Sequence, residues 1–410
     1  MNKKSIAYVV SSYPAISHTF ITREVLKLRE HGHEVFCFSS NKSNTNFERG
    51  SDEAKEHNNT LTLKIFSPKY MFILLSSLFK YSFKREILNS IAEILKGNLR
   101  YVSYIYQALI LSNFVHKNNI EHIHVHFANS TAIVVKIAAT LCNKKWSVSI
   151  HGHDCFENID KHYLKSIIKH AHYIRTISKF AKIQILRHAD ENINDKIQII
   201  RCGVSLPLRT PSKKGNQSMT GLTVGRLVTA KGQCFLIEAI AKCIQEGHKI
   251  KWHFIGAGPS ERSLKQLVKQ LQIESSIEFH GACSQKTVNQ YLEKSDIFAL
   301  TSFAEGIPVS LMEAMSKNVP VISTYTNGIP EMIVNNKNGL LCQPGSVNDI
   351  KNALIQLNQN QFLVEKIKKN ALQTIKKDYN IDSNGLKMVR FFEQTFQNVN
   401  QQEGKILVAA

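Results

Sequence analysis

Residues 221–258 read GLTVGRLVTAKGQCFLIEAIAKCIQEGHKIKWHFIGAG, and their pattern decides the fold class. The first part, GLTVGRL, is a short apolar run with β-branched residues, which is typical of a buried strand. Apolar residues then recur at helical spacing in QCFLIEAIAKCIQEG, and KIKWHFIGAG again has the composition of a strand. A strand, a helix and a strand in this order predict two parallel strands joined by a crossover helix.

The same alternation continues on both sides of this unit. It extends to VPVIST (319–324) in the second half, and SIAYVVSS (5–12) followed by a helical pattern starts it in the first half. Between the halves, residues 206–218 contain two prolines and a basic run without periodicity, which indicates a linker. We therefore predict an α/β protein with one domain over 1–205 and another over 219–383, with parallel sheets whose strand ends meet at a cleft.

Two stretches of the first half depart from the simple alternation. Residues 41–60 are polar and turn-rich, and we expect a surface loop there. Residues 64–85 combine basic, aromatic and aliphatic side chains around an apolar run of ten residues, too short to cross a bilayer. This segment fits a helix lying on a membrane surface and, equally well, a core helix with a basic outer face.

Composition narrows the class of protein. The chain has 410 residues, of which 43% are hydrophobic and 20% are charged, as in globular proteins. Its net charge of +20 fits an anionic partner, which would be nucleic acid, a nucleotide ligand or a membrane surface, and equally fits solvated surface lysines without a partner. No nucleic-acid-binding motif accompanies the charge, so we expect no nucleic-acid partner. Scattered cysteines and no signal-peptide pattern predict a cytoplasmic protein with buried thiols.

The densest candidate site is TSFAEGIPVSLMEAMSKNVPVISTYTNGIPE (301–331). Its first residues form the loop after a predicted buried strand, where open parallel sheets bind ligands. Pro308 fits the first position of the helix that follows, and the free N–H groups of Val309 and Ser310 suit a phosphate. Glu305 and Glu313 would face sugar or ribose hydroxyls, since a carboxylate beside a diphosphate is repelled by it. Each carboxylate is equally consistent with an ordinary helix position.

A second candidate lies in VGRLVTAKG (224–232). Gly225 lets the backbone approach a ligand, and Arg226 and Lys231 place two cations near the strand end. Such cations stabilise the charge that develops on a leaving diphosphate without a metal, although two solvated bases on a surface loop would have the same spacing. Weaker candidates follow two later strands, and these are Gly256, Gly258 and His280.

In the first half, His151 and Asp154 belong to the sequence HGHD (151–154) that follows a predicted strand. His151 would reach a sugar or phosphate oxygen from the strand end, and His126 would line the acceptor side in the same way. Alternate residues of an extended segment point apart and no further ligand group is evident, so we expect no metal there.

Taken together, these motifs resemble the retaining glycosyltransferases of family four. EGIPVSLMEAM (305–315), NGIPE (327–331), VGRL-x3-KG and the His-Gly-x-Asp stand in the family's order, and the opening SSYPAISHTFITREV (11–25) resembles its colanic acid and exopolysaccharide branch. The resemblance implies a GT-B fold, which has two Rossmann-like doubly wound domains facing across a cleft. It also implies a C-terminal helix, about 384–398, that packs back on the first domain.

The resemblance assigns roles to residues. Arg226 and Lys231 would bind the diphosphate, Glu305 the donor sugar and Glu313 the ribose, with His151 near the sugar. The backbone of Gly306, Ile307, Val309 and Ser310 would complete the donor site, with Glu331 as a weaker contributor. Gly225, Gly256, Gly258 and His280 are further donor-site candidates from their positions after strands. On the acceptor side, Ser17 and His18 replace the glycine pair that many relatives carry after the first strand, and His126 and Asp154 complete that side.

The expected reaction is therefore metal-independent sugar transfer with retention of configuration, and it needs no cofactor besides the nucleotide sugar. UDP-sugars are preferred over GDP-sugars on family frequency alone, and the acceptor would be a glycan or a lipid-linked glycan at the inner face of the membrane. Three other readings stay open. The chain could catalyse a different reaction on the same scaffold, or it could be a catalytically inactive nucleotide-sugar-binding subunit. It could also bind nucleic acid, which steep salt dependence would reveal.

Overall fold

The computed structural model describes residues 4–43, 45, 47–64, 85–152, 154–157, 163–207 and 218–408. The chain divides into two compact units. Unit 1 comprises Met1–Ile200 and Gly385–Ala410, and unit 2 comprises Arg201–Asn384. Unit 2 is therefore inserted in the sequence of unit 1.

Unit 1 is built on a sheet in which every described strand pairs in parallel, in the order β3-β2-β1-β4-β5-β6-β7. Its strands are β1 (Ser5–Ser12), β2 (Glu34–Asn41), β3 (Leu61–Thr62), β4 (His122–His126), β5 (Trp146–Ile150), β6 (Tyr173–Thr176) and β7 (Ile197–Ile199). All residues of β4 and β5 are buried, as expected for strands covered on both faces.

Helices connect the strands of unit 1 and cover the sheet. They are α1 (Thr19–Glu30), α2 (Asp52–Asn59), α3 (Arg85–Leu95), α4 (Arg100–Lys117), α5 (Ser130–Cys142), α6 (Asp154–Glu157), α7 (Leu164–His170) and α8 (Lys179–Arg187). Side-chain caps fix several helix starts: Asn129 accepts a hydrogen bond from Thr131 N at α5, and Ser178 accepts one from Ala181 N at α8.

Unit 2 repeats the architecture with the order β10-β9-β8-β11-β12-β13, again with parallel pairing throughout its described strands. The strands are β8 (Met219–Val224), β9 (Ile250–Ile255), β10 (Ile277–Phe279), β11 (Ile297–Leu300), β12 (Val321–Thr324) and β13 (Leu340–Cys342). The helices are α9 (Gln233–Gln245), α10 (Glu261–Gln270), α11 (Gln285–Lys294), α12 (Val309–Ser316), α13 (Val347–Gln359) and α14 (Gln361–Asp378).

The last helix, α15 (Ile381–Val408), is longer than the predicted 384–398. From Gly385 onward it belongs to unit 1. There Met388, Phe391 and Phe392 pack in one cluster with Ile6 and Tyr8 of β1. These apolar side chains cover one face of the sheet of unit 1.

The expectation of a loop over 41–60 is wrong for part of that segment, because Asp52–Asn59 forms α2. The Ser51 side chain caps this helix by accepting a hydrogen bond from Ala54 N, and Asp52 and Glu53 complement the positive end of its dipole. The polar sequence did not indicate a helix here, because only Glu56 of its residues is buried.

Two predicted segments fall largely outside the description. The membrane-surface helix predicted over 64–85 and most of the 206–218 linker lie outside the described residues. Among the helices that are described, none combines the length and apolar character needed to span a bilayer.

We predict that Gly221→Ala destabilises unit 2. Gly221 of β8 lies under the buried ring of Trp252 in β9, and a Cβ atom at this position would stand 2.0 Å from a ring carbon. Overpacking of this kind typically costs about 1–3 kcal/mol. Urea unfolding followed by circular dichroism measures the effect, with Gly225→Ala as the control because its Cβ would meet its nearest atom at 4.0 Å. Equal midpoints for the two variants would contradict the packing described here.

Candidate active site

The strand order of each unit marks one position at the carboxyl ends of two central strands. In unit 2 the chain order reverses between β8 and β11, and in unit 1 it reverses between β1 and β4. Loops that leave neighbouring strands in opposite directions open a crevice at the carboxyl ends of those strands, where open α/β sheets bind ligands. The candidate residues follow these strands in both units.

In unit 2 the structure brings together two predicted residues. The ammonium group of Lys231, in the 3₁₀ turn Thr229–Lys231 after β8, forms a salt bridge with Glu305 Oε1 in the loop after β11. Ser302 Oγ donates to the same oxygen at 2.7 Å. Glu305 is buried and Lys231 is partly buried, so the pair is shielded from water. The cation and the carboxylate thus fix each other at the reversal point of the sheet.

Backbone contacts hold the two loops together. Phe303 N donates to Ala230 O at 2.8 Å, and Thr301 Oγ1 donates to Gly232 O at 3.0 Å. Gly232 has φ +60°, and a Cβ atom there would lie 2.3 Å from Thr301 O. Only glycine fits this position, because any side chain would push the loops and the Lys231–Glu305 pair apart.

The glycines of the GAG sequence serve the same assembly. Gly256 has φ +143°, and its Cβ would stand 1.9 Å from Gly225 O; at Gly258 it would stand 2.3 Å from Leu227 O. Leu227 N also donates to Ala257 O at 3.0 Å. On the side where a Cβ would stand, both glycines are packed against the backbone of the neighbouring loop, and this packing shapes the turn that carries Arg226.

The helix that follows the Glu305 loop starts one residue later than predicted. Pro308 is the N-cap, with φ −71° and ψ 124°, and α12 begins at Val309. The N–H groups of Val309 and Ser310 therefore stand in the first turn, where they have no intrahelical acceptor. Gly306 and Ile307 connect Glu305 to this helix end, and Glu313 is buried one turn further along α12.

Three other predicted donor residues make no described ion pair with Lys231 or Glu305. Arg226 is exposed, and no ion pair with it is found in the described part of the chain. The Glu331 carboxylate forms a salt bridge with Arg201 Nη2 at 3.3 Å, which already engages it. His280 N donates to Phe254 O at 2.9 Å, so this N–H is unavailable to a base. The assignment of His280 to the donor site stays a prediction.

In unit 1 the structure brings His126 and His151 together. The rings are stacked with centroids 5.0 Å apart, and His126 Nδ1 lies 2.8 Å from His151 Nε2 in hydrogen-bond contact. The strand register explains this contact, because β4 and β5 are paired neighbours and both histidines stand at their carboxyl ends. Burial lowers the pKa of both rings well below the usual value, and the Arg175 cation and neighbouring histidines lower it further. Both rings are therefore neutral at pH 7.

A buried charged network below these rings was missed by the sequence reasoning. Arg175 Nη1 forms a salt bridge with Glu24 Oε2 at 2.6 Å, and Tyr8 Oη donates to Glu24 Oε1. His126 Nε2 lies 3.7 Å from Glu24 Oε1. An arginine inside the apolar strand pattern of YIRTIS was the available signal, since a buried charge requires a partner.

The other acceptor-side residues surround the histidine pair or extend beyond it. His18 Nδ1 contacts Ser12 O at 3.2 Å, and its ring lies against Phe127. Phe127 has φ +72°, a strained conformation for a bulky residue at the end of β4. Ser17 is exposed in the 3₁₀ turn after β1. Asp154 begins α6, and its side chain is outside the description, as is His153.

Comparison with known proteins shows which proteins this chain is similar to. Residues 208–374 match the family model of glycosyl transferases group 1. It is 34% identical over 178 residues to the amylovoran biosynthesis glycosyltransferase AmsK of Erwinia amylovora, in an alignment covering 41% of this chain and 43% of AmsK. It is 31% identical over 195 residues to WcaL of Escherichia coli, named for colanic acid biosynthesis, covering 45% of this chain and 48% of WcaL.

The chain thus spans just under half the length of these relatives in the matched region. Its structural similarity to solved proteins covers a much larger part of the chain. HepE of Anabaena, solved in complex with UDP and glucose, superimposes with a TM-score of 0.73 over 95% of this chain and 100% of that chain, at 15% identity. The expected GT-B fold with two Rossmann-like units is confirmed by these comparisons and by the two parallel sheets.

The buried histidines predict a pH dependence of stability. The pKa of His122 is lowered to about 3 by burial, and those of His124, His126 and His151 are lowered well below the ordinary value. Unfolding restores a pKa of about 6.5, so below this pH the unfolded chain binds more protons than the folded chain. The free energy of unfolding therefore falls as the pH is lowered from about 6.5, by up to about 1.4 kcal/mol per pH unit for each group.

Urea unfolding between about pH 6.5 and pH 5 tests this, above the range in which most carboxylates titrate. The chain has two tryptophans, Trp146 in unit 1 and Trp252 in unit 2, so a Trp252→Phe variant reports unit 1 by fluorescence. Adding His126→Asn and His151→Asn should flatten the pH dependence of unit 1. An unchanged slope would show that these rings are not neutral in the folded state.

Proposed function

We propose that this protein is a retaining glycosyltransferase that moves a sugar from a nucleotide diphosphate sugar to a glycan or lipid-linked acceptor. The assembly of exopolysaccharide, capsule or lipopolysaccharide is the proposed setting, which the relatives AmsK and WcaL support through their named roles in amylovoran and colanic acid biosynthesis. The observation that carries the proposal is the shielded Lys231–Glu305 pair at the reversal point of the unit 2 sheet.

The pair provides what a diphosphate leaving group requires. As the bond between the anomeric carbon and the diphosphate oxygen breaks, negative charge grows on that oxygen. Lys231 is held by Glu305 and needs little reorganisation to stabilise this charge, and the exposed Arg226 on the same loop adds a second cation. The free N–H groups at the start of α12 are a third group that favours negative charge. No divalent metal is needed in this scheme.

Glu305 would orient the sugar instead of attacking it. Its described hydrogen bonds from Lys231 and Ser302 both fall on Oε1, which directs Oε2 toward the hydroxyls of the donor sugar. The acceptor oxygen then forms its bond to the anomeric carbon from the face that the diphosphate leaves, and its proton passes to the departing diphosphate oxygen. Attack from this face retains the anomeric configuration.

The remaining assignments concern the two ends of the reaction. Glu313, buried on α12, would accept hydrogen bonds from the ribose, and UDP is the preferred nucleotide, which the UDP bound to HepE supports. On the acceptor side, the neutral His126–His151 pair would contact sugar hydroxyls, with His18, Ser17 and Asp154 around it.

We predict that Lys231→Met lowers kcat by about 10²–10³-fold, because it removes a preorganised cation from the developing charge. The measurement is sugar transfer to acceptor, with EDTA present to test metal independence. Lys242→Met is the control, since this exposed lysine of α9 contacts only Asn348 among the described residues. Near wild-type turnover of Lys231→Met would refute the assigned role.

A second variant separates chemistry from stability. Lys231→Met leaves the buried Glu305 carboxylate without its cation, which itself destabilises the fold. Adding Glu305→Gln removes that unpaired charge, so Lys231→Met/Glu305→Gln should recover thermal stability without recovering transfer. If activity returned together with stability, Lys231 would have only a structural role.

The donor class is tested by thermal shift with UDP, GDP and CDP and their sugars. A ligand at about 100 times its Kd stabilises the folded protein by about 2.7 kcal/mol. We expect UDP compounds to raise the melting temperature of the wild type and to have a much smaller effect on Glu313→Gln. Glu293→Gln is the control, because Glu293 pairs with Lys317 at the surface. Stabilisation without any transfer activity would indicate an inactive nucleotide-sugar-binding subunit.

A further inference from the structure

Three potential metal ligands converge in unit 2, away from the Lys231–Glu305 pair. His253 Nδ1 lies 3.0 Å from His280 Nε2 and 3.3 Å from Glu278 Oε2, and His280 Nε2 lies 3.5 Å from the same carboxylate oxygen. The three ligand atoms thus form a nearly equilateral triangle. The sugar transfer proposed above uses none of these three side chains.

The sheet itself builds this arrangement. His253 of β9 is the register partner of Glu278 in the edge strand β10. Glu278 and His280 are two residues apart along an extended segment, so their side chains point to the same face of the sheet. Strand pairing alone therefore brings His253, Glu278 and His280 together on one face of the sheet.

We propose that His253, Glu278 and His280 form a binding site for a divalent transition metal ion, with Zn²⁺ as the best match. Zinc bound to nitrogen and oxygen at about 2.0–2.2 Å in a tetrahedron places its ligand atoms about 3.3–3.6 Å apart. The three distances, from 3.0 to 3.5 Å, are close to this spacing. Two imidazoles and one carboxylate favour Zn²⁺ over Mg²⁺ or Ca²⁺, which prefer oxygen ligands.

Neighbouring side chains orient two of the three ligands, as is usual around metal sites. Tyr291 Oη of α11 lies 3.3 Å from His280 Nδ1, which holds the ring with Nε2 directed at the triangle. Lys251 Nζ donates to Glu278 Oε1 at 2.6 Å and leaves Oε2 on the side of the histidines. The side chain of Glu278 is 43% exposed, so the fourth position of a tetrahedron is open to water.

A metal in this position would join the edge strand β10 to β9. The site lies outside the chemistry proposed for sugar transfer, and its test measures binding alone. The result is therefore independent of whether the protein transfers sugar.

The test is titration of the full chain, without a histidine tag, with Zn²⁺ against a chromophoric chelator. We expect the wild type to bind Zn²⁺ at this site, and His253→Gln, His280→Gln and Glu278→Gln each to weaken binding at least about tenfold. Glu278→Gln is the safest of the three for folding, because the side chain is half exposed. Tyr291→Phe should weaken binding about tenfold through the orientation of His280 alone.

Two controls make the outcome decisive. His248→Gln, next to β9 in the same unit, should bind Zn²⁺ like the wild type. Bound Co²⁺ should give the intense visible absorption of tetrahedral coordination in the wild type and lose it in His253→Gln. If the wild type fails to bind Zn²⁺, or if the three ligand variants bind it as tightly as the wild type, the cluster is only a hydrogen-bonded group and the proposal is wrong.

Discussion

Parallel strand pairing is the constraint on which this molecule depends. A parallel strand cannot return by a tight turn, so the described strands of each sheet all end on the same side of that sheet. The loops that follow the strands therefore place their polar residues on that side. Lys231 and Glu305 are 74 residues apart in sequence and meet only because β8 and β11 are neighbours there. In unit 1, β4 and β5 bring His126 and His151 together for the same reason.

Buried charge is handled differently in the two units. In unit 2 the Lys231–Glu305 pair lies in the loops after β8 and β11, where the Lys231 side chain keeps some exposure to solvent. In unit 1, Glu24 and Arg175 are fully enclosed and satisfied by Tyr8, so they are available to no ligand. Removing one member of an enclosed pair costs much more than the pair contributes, because the remaining charge has no water to replace its partner. The enclosed pair thus supports the histidines above it, and the Lys231–Glu305 pair is suited to chemistry.

The sequence predicted the fold class because strand and helix signals alternate strongly, and it predicted Lys231 and Glu305 because each stands in a dense motif after a strand. Their salt bridge was beyond reach, since side-chain contact between distant segments depends on strand order. Arg175 and Glu24 escaped notice for the same reason. Helix α2 was missed because it buries almost none of its surface, so its capping serine was the only strong signal. His280 was assigned to the donor site by its position at a strand end, and the contact between its ring and His253 could not be predicted because it depends on the pairing of β9 with β10.

The discontinuous course of unit 1 has a consequence for biosynthesis. Ile6 and Tyr8 of β1 pack against Met388, Phe391 and Phe392 of α15, which follows unit 2 in the sequence. All of unit 2 must therefore be synthesised before this face of the sheet is covered. Unit 2 lies between the two segments of unit 1 as one continuous stretch with its own core. It can therefore fold before α15 covers β1. The nascent protein therefore exposes an apolar sheet face while unit 2 is being synthesised, and exposed apolar surface of this kind is prone to aggregation.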